Sequence, residues 1–229
     1  MSEWQWSAVD RYVSDLLVEP DPALDEALRC SESAGLPRIA VSPPQGKMLH
    51  LLARIHGARR ILEVGTLGGY STIWLARALP AGGHLVTLEL DPGYAAVARE
   101  NIARAGLEEL IDLRVAPALD SLAALAGEGG EPFDLTFIDA DKKTTPEYFE
   151  AAIGLSRPGA VIVVDNVVRG GALIDPASED QGAQGMRRFH AQLAARGGLT
   201  ATTIQTVGAK GYDGFTLVLL DGGSPPASG

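Results

Sequence analysis

The stretch RRILEVGTLGGYSTIWLARAL, Arg59 to Leu79, joins a short apolar run to a glycine-rich turn and then to apolar residues at helical spacing. A run of this length bounded by glycine reads as a buried strand, and the residues after the turn read as a helix, so the stretch is one β-turn-α unit. The unit recurs along the chain. GHLVTLELD (83–91) precedes PGYAAVARENIARAG (92–106), with Pro92 in the first turn of the helix and Gly106 at its end. IDLRVA (111–116) precedes PALDSLAALAG (117–127), and FDLTFIDAD (133–141) precedes PEYFEAAIGLS (146–156). GAVIVVDN (159–166) precedes a long loop and then AQGMRRFHAQLAAR (183–196). Five alternating units predict an α/β fold, a mostly parallel sheet with helices on both faces.

The flanks differ. Up to about Arg54 the chain reads as helices, with helical periodicity in VDRYVSDLL (9–17) and KMLHLLARI (47–55), interrupted by GLPRIAVSPPQG (35–46). At the other end, LTATTIQTVG (199–208) and DGFTLVLLD (213–221) are joined by the short AKGYDG, which leaves no room for a crossover helix. They predict an antiparallel hairpin at a sheet edge. The reading is one domain over 1–220, with 1–54 as N-terminal helices and 221–229 as a disordered tail.

Composition excludes several classes of partner. With 229 residues and a formal net charge of −10, the chain lacks the clustered Lys and Arg that nucleic-acid binding requires. A small-molecule partner fits better. The N-terminus carries no basic leader followed by an apolar core, and no run approaches membrane length, so the expectation is a soluble cytoplasmic protein. Cys30 is the lone cysteine, so there is no internal disulfide or thiolate cluster. His50, His56, His84 and His190 show no ligand spacing. A metal would therefore be held by oxygen.

Open parallel sheets bind ligands at the carboxyl ends of their strands. At the first of these ends the spacing is E-x-G-x-x-x-G: Glu63, Gly65 and Gly69. The dinucleotide pattern G-x-G-x-x-G fails, because Leu67 and Tyr70 stand where glycines would be needed. At the end of the second strand, Glu89 can accept hydrogen bonds from both ribose hydroxyls. Together these describe an adenosine site without a pyrophosphate requirement. Farther along the same edge, Asp139, Asp165 and Asn166 bring three hard oxygen ligands from adjacent strand ends, a set that suits Mg²⁺ or another divalent cation. Asp141 is a competing ligand, or else a cap for the next helix. Lys142 is a candidate base beside this site, and Lys143 an ordinary solvated lysine. The glycine-rich, polar VRGGALIDPASEDQGAQG (168–185) reads as a mobile wall beside this edge.

Taken in order, ILEVGTLGGYSTIWLA, VTLELDP, FDLTFIDADK, VIVVDNV and GAKGYDGFTLVL resemble the cation-dependent O-methyltransferases, the group of catechol and caffeoyl-CoA O-methyltransferases, over roughly 37–220. The resemblance implies a Rossmann-like class I S-adenosylmethionine-dependent fold of seven strands, whose last hairpin contributes an antiparallel strand. It implies Val41, Glu63, Gly65, Thr66, Gly69 and Ser71 around the methionine and sulfonium portion, Glu89 on the ribose and Leu90 beside the adenine. Ala116, Pro117 and Ala118 would lie against the adenine, Ala118 through its backbone. Asp139 is counted with the cofactor-binding residues as well as with Asp165 and Asn166 as metal ligands, and Lys142 is the base.

The implied reaction carries the methyl group of S-adenosyl-L-methionine to a hydroxyl of a catechol-like small aromatic, with residues 1–54 covering the acceptor side and a homodimer as the assembly. Thr145 and Pro146 stand where caffeoyl-CoA enzymes usually carry an Asn-Tyr pair. Trp4, Trp6 and Tyr12 read as pocket cover, subunit interface or plain core. The rival readings are a nucleotide-dependent oxidoreductase, which lacks its glycines, and a binding module without catalysis, against which the intact Asp139, Lys142, Asp165 and Asn166 argue.

Overall fold

The computed structural model describes residues 2–221. Apart from Asp221, the expected tail lies outside them. Three helices come first: α1 (Glu3–Leu17), α2 (Pro22–Ser33) and α3 (Pro43–His56). There follow β1 (Arg60–Val64), α4 (Tyr70–Ala76), β2 (His84–Glu89), α5 (Pro92–Arg104), β3 (Ile111–Val115), α6 (Ala118–Glu128), β4 (Phe133–Ile138), α7 (Thr145–Leu155) and β5 (Ser156–Asp165). The described residues close with α8 (Gln181–Ala195), β6 (Leu199–Gly208) and β7 (Gly211–Leu220).

The seven strands form one sheet in the order β3-β2-β1-β4-β5-β7-β6. The first five run parallel, and β7 is antiparallel to both β5 and β6. Successive side chains on a strand face opposite sides, and the core follows that alternation. Ile61, Leu85, Leu135 and Phe137 pack against the face covered by α3 and α4, while Leu62, Val64, Val86 and Ile162 pack against α6, α7 and α8. Each such fully buried side chain contributes roughly 1.5–3 kcal/mol. Strand order reverses between β1 and β4, so the crevice of this sheet opens where those two strands end.

One expected helix has a short apolar face, and two local features depart from the sequence reading. The helix α2 falls within the helices expected before Arg54 and buries Leu24 and Ala27, with Leu28 packed beside them. It is set by its ends: Pro22 stands in the first turn, and Asp21 accepts from the Ala23 and Leu24 N–H groups at 3.0 and 3.3 Å. The hairpin turn is tighter than AKGYDG, because Gly208 pairs with Gly211 and leaves a two-residue turn, Ala209 and Lys210. The 168–185 segment is not an open loop. Residues 169–174 form a 3-10 turn, α8 begins at Gln181, and the Arg187 guanidinium donates to the Asp175 carbonyl at 2.6 Å and to that of Ala172 at 3.2 Å. Among the described residues, no helix is long and apolar enough to cross a membrane.

Candidate active site

The turn after β1 is held by contacts that glycine alone permits. Gly65 has φ +101°, and a Cβ there would run into the Asp139 carbonyl at the end of β4. The Asp139 N–H donates to the Val64 carbonyl at 2.8 Å, so the ends of β1 and β4 are fastened directly together. Gly69 has φ +83° and forms the N-cap of α4.

Glu63 is fully buried on the α4 side of β1. Its carboxylate accepts from the hydroxyls of Ser71 at 2.6 Å, Thr72 at 2.5 Å and Thr87 at 2.7 Å. Burial pushes its carboxyl up to about 7, against the three hydroxyl bonds, which favour the ionised form. Glu63 and Ser71, both expected beside a cofactor, are thus bonded to each other beneath the turn.

Glu89 clamps the same turn from β2. Its Oε2 accepts from the N–H groups of Thr66 and Leu67 at 3.3 and 2.8 Å, and its Oε1 from those of Leu90 and Asp91 at 2.9 and 3.0 Å. Thr66 also shares a 2.6 Å hydroxyl contact with Thr87. Around this strand end the apolar side chains of Leu90, Val115 and Leu119 lie open, Leu90 by 68%. Ala116 donates its N–H to the Glu89 carbonyl at 3.0 Å, and Ala118 opens α6, so both flank that apolar surface. Val41 is buried just ahead of the N-cap of α3.

The ends of β4 and β5 carry a different arrangement. Lys142 donates from Nζ to Asp139 Oδ1 at 2.6 Å, and its side chain is only 9% exposed. Asp165 is 4% exposed. It accepts from its neighbour's Asn166 N–H at 2.8 Å and from the Gln45 amide at 2.6 Å. Burial, and then the neighbouring Asp139 carboxylate, push the Asp165 carboxyl up to about 7. Asn166 has φ +53°, a left-handed conformation that asparagine tolerates better than most residues, and among the described residues its side chain makes no hydrogen bond. Among the described residues, no three His, Cys, Asp or Glu side chains group as a metal-holding cluster. The expected set has two carboxylates and an amide.

Asp141 belongs to the helix and not to this cluster. Its carboxylate accepts from the Thr144 N–H at 2.9 Å, the Thr144 hydroxyl at 2.7 Å and the Tyr148 hydroxyl at 2.5 Å. Burial opposes its charge, but these bonds hold its carboxyl below the ordinary range. Thr145 and Pro146 are buried in the first turn of α7. The support of Lys142 comes from α8: a Cβ at Gly185 would run into the Lys142 carbonyl, and Arg188 donates to the Lys143 carbonyl at 2.7 Å.

Several residues of this edge carried no signal of their own in the sequence. Gln45 reaches Asp165 from 120 positions away. Asp213 on β7 accepts from the Val168 and Arg169 N–H groups at 2.9 and 3.0 Å, which pins the chain just after Asn166. Lys210, on the hairpin turn, donates to the Arg38 carbonyl at 2.9 Å. Of these, only Lys210 and Asp213 lie in a stretch read as a motif, GAKGYDGFTLVL. Of the N-terminal aromatics, Trp4 is 76% exposed and Tyr12 is exposed too, so neither is core.

The family model described as O-methyltransferase matches residues 15–219. A relative named catechol O-methyltransferase, from Niastella koreensis, is 51% identical over 220 residues, covering 96% of this chain and all of its own length. Two solved structures superpose closely. The O-methyltransferase from Bacillus cereus, in complex with SAH, has a TM-score of 0.95 at 54% identity and covers 96% of this chain and 100% of its own. TomG from Streptomyces achromogenes, an O-methyltransferase involved in tomaymycin synthesis and in complex with SAM, has a TM-score of 0.94 at 56% identity and covers 97% of this chain and 100% of its own. Two strand ends with buried, hydrogen-bonded carboxylates, a glycine turn between them and a match over nearly the whole chain lead to one assignment: this protein belongs to the O-methyltransferase family.

Proposed function

We propose that the protein transfers the methyl group of S-adenosyl-L-methionine to one hydroxyl of a vicinal dihydroxy aromatic, in a reaction that depends on Mg²⁺ or a similar divalent cation. The observation that carries this reading is the meeting of Asp139, Lys142 and Asp165 at the switch point, fastened to the glycine turn through Gly65. Relatives bound to SAM and SAH support the donor, and the name of the Niastella relative supports the acceptor class.

The donor set fits a hard cation. The Asp139 carboxylate raises the cost of charge on Asp165, and the free Asn166 amide supplies a third oxygen. These three residues would hold the cation, which when bound supplies Lewis acidity and a template for two adjacent oxygens. Gln45 fixes the orientation of Asp165 through its 2.6 Å bond. Lys142, in its neutral form, takes the proton from the reacting hydroxyl; its enclosure by α8 keeps water from that position. The acceptor oxygen attacks the methyl carbon in line with the S–CH₃ bond, and that bond's electron pair stays on sulfur. Opposite charges meet and cancel in this step, so positioning and exclusion of water are the protein's main contribution.

On the donor side, Val41, Gly65, Thr66, Gly69 and Ser71 would surround the methionine portion, Glu89 the ribose, and Leu90 with Ala118 the adenine. The open apolar surface of Leu90, Val115 and Leu119 suits a flat ring. Residues 1–54 would cover the acceptor side of a single domain. A second copy of the chain would bury the apolar side chains that α1 exposes, Trp4, Val9, Tyr12 and Leu16 among them; light scattering decides the assembly.

The deciding experiment is transfer from labelled S-adenosylmethionine to a panel of catechols, with Mg²⁺ and again with EDTA. Product with Mg²⁺ and none with EDTA is expected. Equal product in EDTA would remove the cation from the reaction.

A further inference from the structure

The hairpin turn overhangs the edge on which Asp165 lies. β7 pairs Phe215 with Asp165, the last residue of β5, and Gly211–Gly214 extend beyond that point to the turn. Four residues of extended chain span roughly 13 Å, enough to carry Ala209 and Lys210 across the mouth of the crevice. The turn is fixed there from two sides. The Ala209 N–H donates to the Asp10 carboxylate of α1 at 2.7 Å, and Asp10 also fills the space that a Cβ at Gly208 would need.

Lys210 then donates to the Arg38 carbonyl, three residues before Val41. A lysine ammonium has three N–H groups. Among the described residues the Arg38 carbonyl is the one hydrogen-bond partner of this head, so two donors are left. Burial pushes the Lys210 ammonium down, and the Asp139 and Asp165 carboxylates draw it back up; among the described residues it forms no salt bridge with either. An unpaired cation held on a fixed turn opposite the acceptor site is placed to meet an anion on the far side of the acceptor.

We propose that Lys210 selects acceptors whose ring bears a carboxylate away from the two hydroxyls, and receives that carboxylate on its free ammonium N–H groups. The inference rests on the catechol reading and narrows it to aromatic acids. Charge-assisted bonds of this kind are among the stronger single contacts, and replacing the ammonium removes the contact without touching the reacting centre.

The test uses protocatechuate and its methyl ester, which share the two hydroxyls and differ in charge. KM and kcat are measured for both with wild type, Lys210→Met, Lys210→Arg and the surface control Lys143→Met. Binding of both probes, and of S-adenosylmethionine, is measured by calorimetry. Lys210→Met is expected to raise KM for the acid about 10-fold, the effect of one such contact. The ester, kcat and S-adenosylmethionine affinity should change less than about 2-fold; Lys210→Arg should restore most of the loss and Lys143→Met cause none. An equal rise for acid and ester would make Lys210 a latch and overturn the proposal. So would a loss confined to S-adenosylmethionine binding. Turnover of the ester by wild type with no preference for the acid overturns the inference alone, whereas failure to bind or methylate either probe overturns the catechol reading and the inference with it.

Discussion

At the ends of β1 and β2, two carboxylates are surrounded by neutral donors: Glu63 by three hydroxyls, Glu89 by four backbone N–H groups. At the ends of β4 and β5, two carboxylates face each other, with the Lys142 ammonium on one and the Gln45 amide on the other. The first pair is complete within the protein and shapes a turn. The second keeps like charges side by side, an arrangement that costs stability and that a further positive charge would relieve. Rigidity is built in at one end of the edge, and unspent attraction at the other.

Asp165→Ala offers the sharpest break between the two ends. Turnover with Mg²⁺ is expected to fall at least about 10³-fold, because a metal ligand is lost. Calorimetry should find S-adenosylmethionine affinity within about 3-fold of wild type, since its expected contacts lie on other strand ends. An equal collapse of both would mean that the ends do not act separately.

Gly65→Ala attacks a place where they touch. The new Cβ would meet the Asp139 carbonyl at a backbone φ of +101°, so the cost combines overpacking with left-handed strain. Urea denaturation should register a loss of roughly 3–4 kcal/mol, and both cofactor and cation binding should weaken together.

The pH dependence of stability sharpens the same contrast. Glu63 sits at about 7 in the fold against an ordinary 4.5, so the folded state holds its proton longer than the unfolded chain. Its contribution is greatest below pH 4.5 and is lost as pH rises through about 7. By linkage the fall is of order 3 kcal/mol. Glu63→Gln should remove that part of the slope in chemical denaturation from acid to neutral pH. Asp165 contributes a slope of the same sign, and only that part should vanish in saturating Mg²⁺.

The smallest effect tests the anchoring of Asp141 at the start of α7. Tyr148→Phe deletes the 2.5 Å bond to Asp141, and thermal unfolding should report a loss of about 1–2 kcal/mol. Donor binding at the other end should not change.

The sequence made the strand ends legible because each is a local pattern. An apolar run that stops at Glu63, Glu89, Asp139 or Asp165 announces both a strand and its carboxyl edge. Gly65 was legible for the same reason, although its need for glycine comes from a carbonyl 74 positions later that no local pattern contains. Gln45, Gly185 and Lys210 were not individually legible, since each acts on a residue brought near by the tertiary fold. The alternatives for Asp141 could be separated only once Tyr148 was seen to bond to it from the first turns of α7. The helix α2 was legible only as part of the helices before Arg54: its apolar face is short, Leu24, Ala27 and Leu28, and its start is set by Asp21 and Pro22.

The position of β7 has a consequence for how the chain is made. β7 leaves the ribosome after β6 yet lies inside the sheet, and among the described strands β6 touches the sheet only through β7. Until Gly211–Leu220 has emerged, β5 presents a bare edge that includes the apolar Ile162 and Val164, the kind of edge that invites pairing with other chains. A chain cut short before Gly211 loses two strands from the sheet, not one.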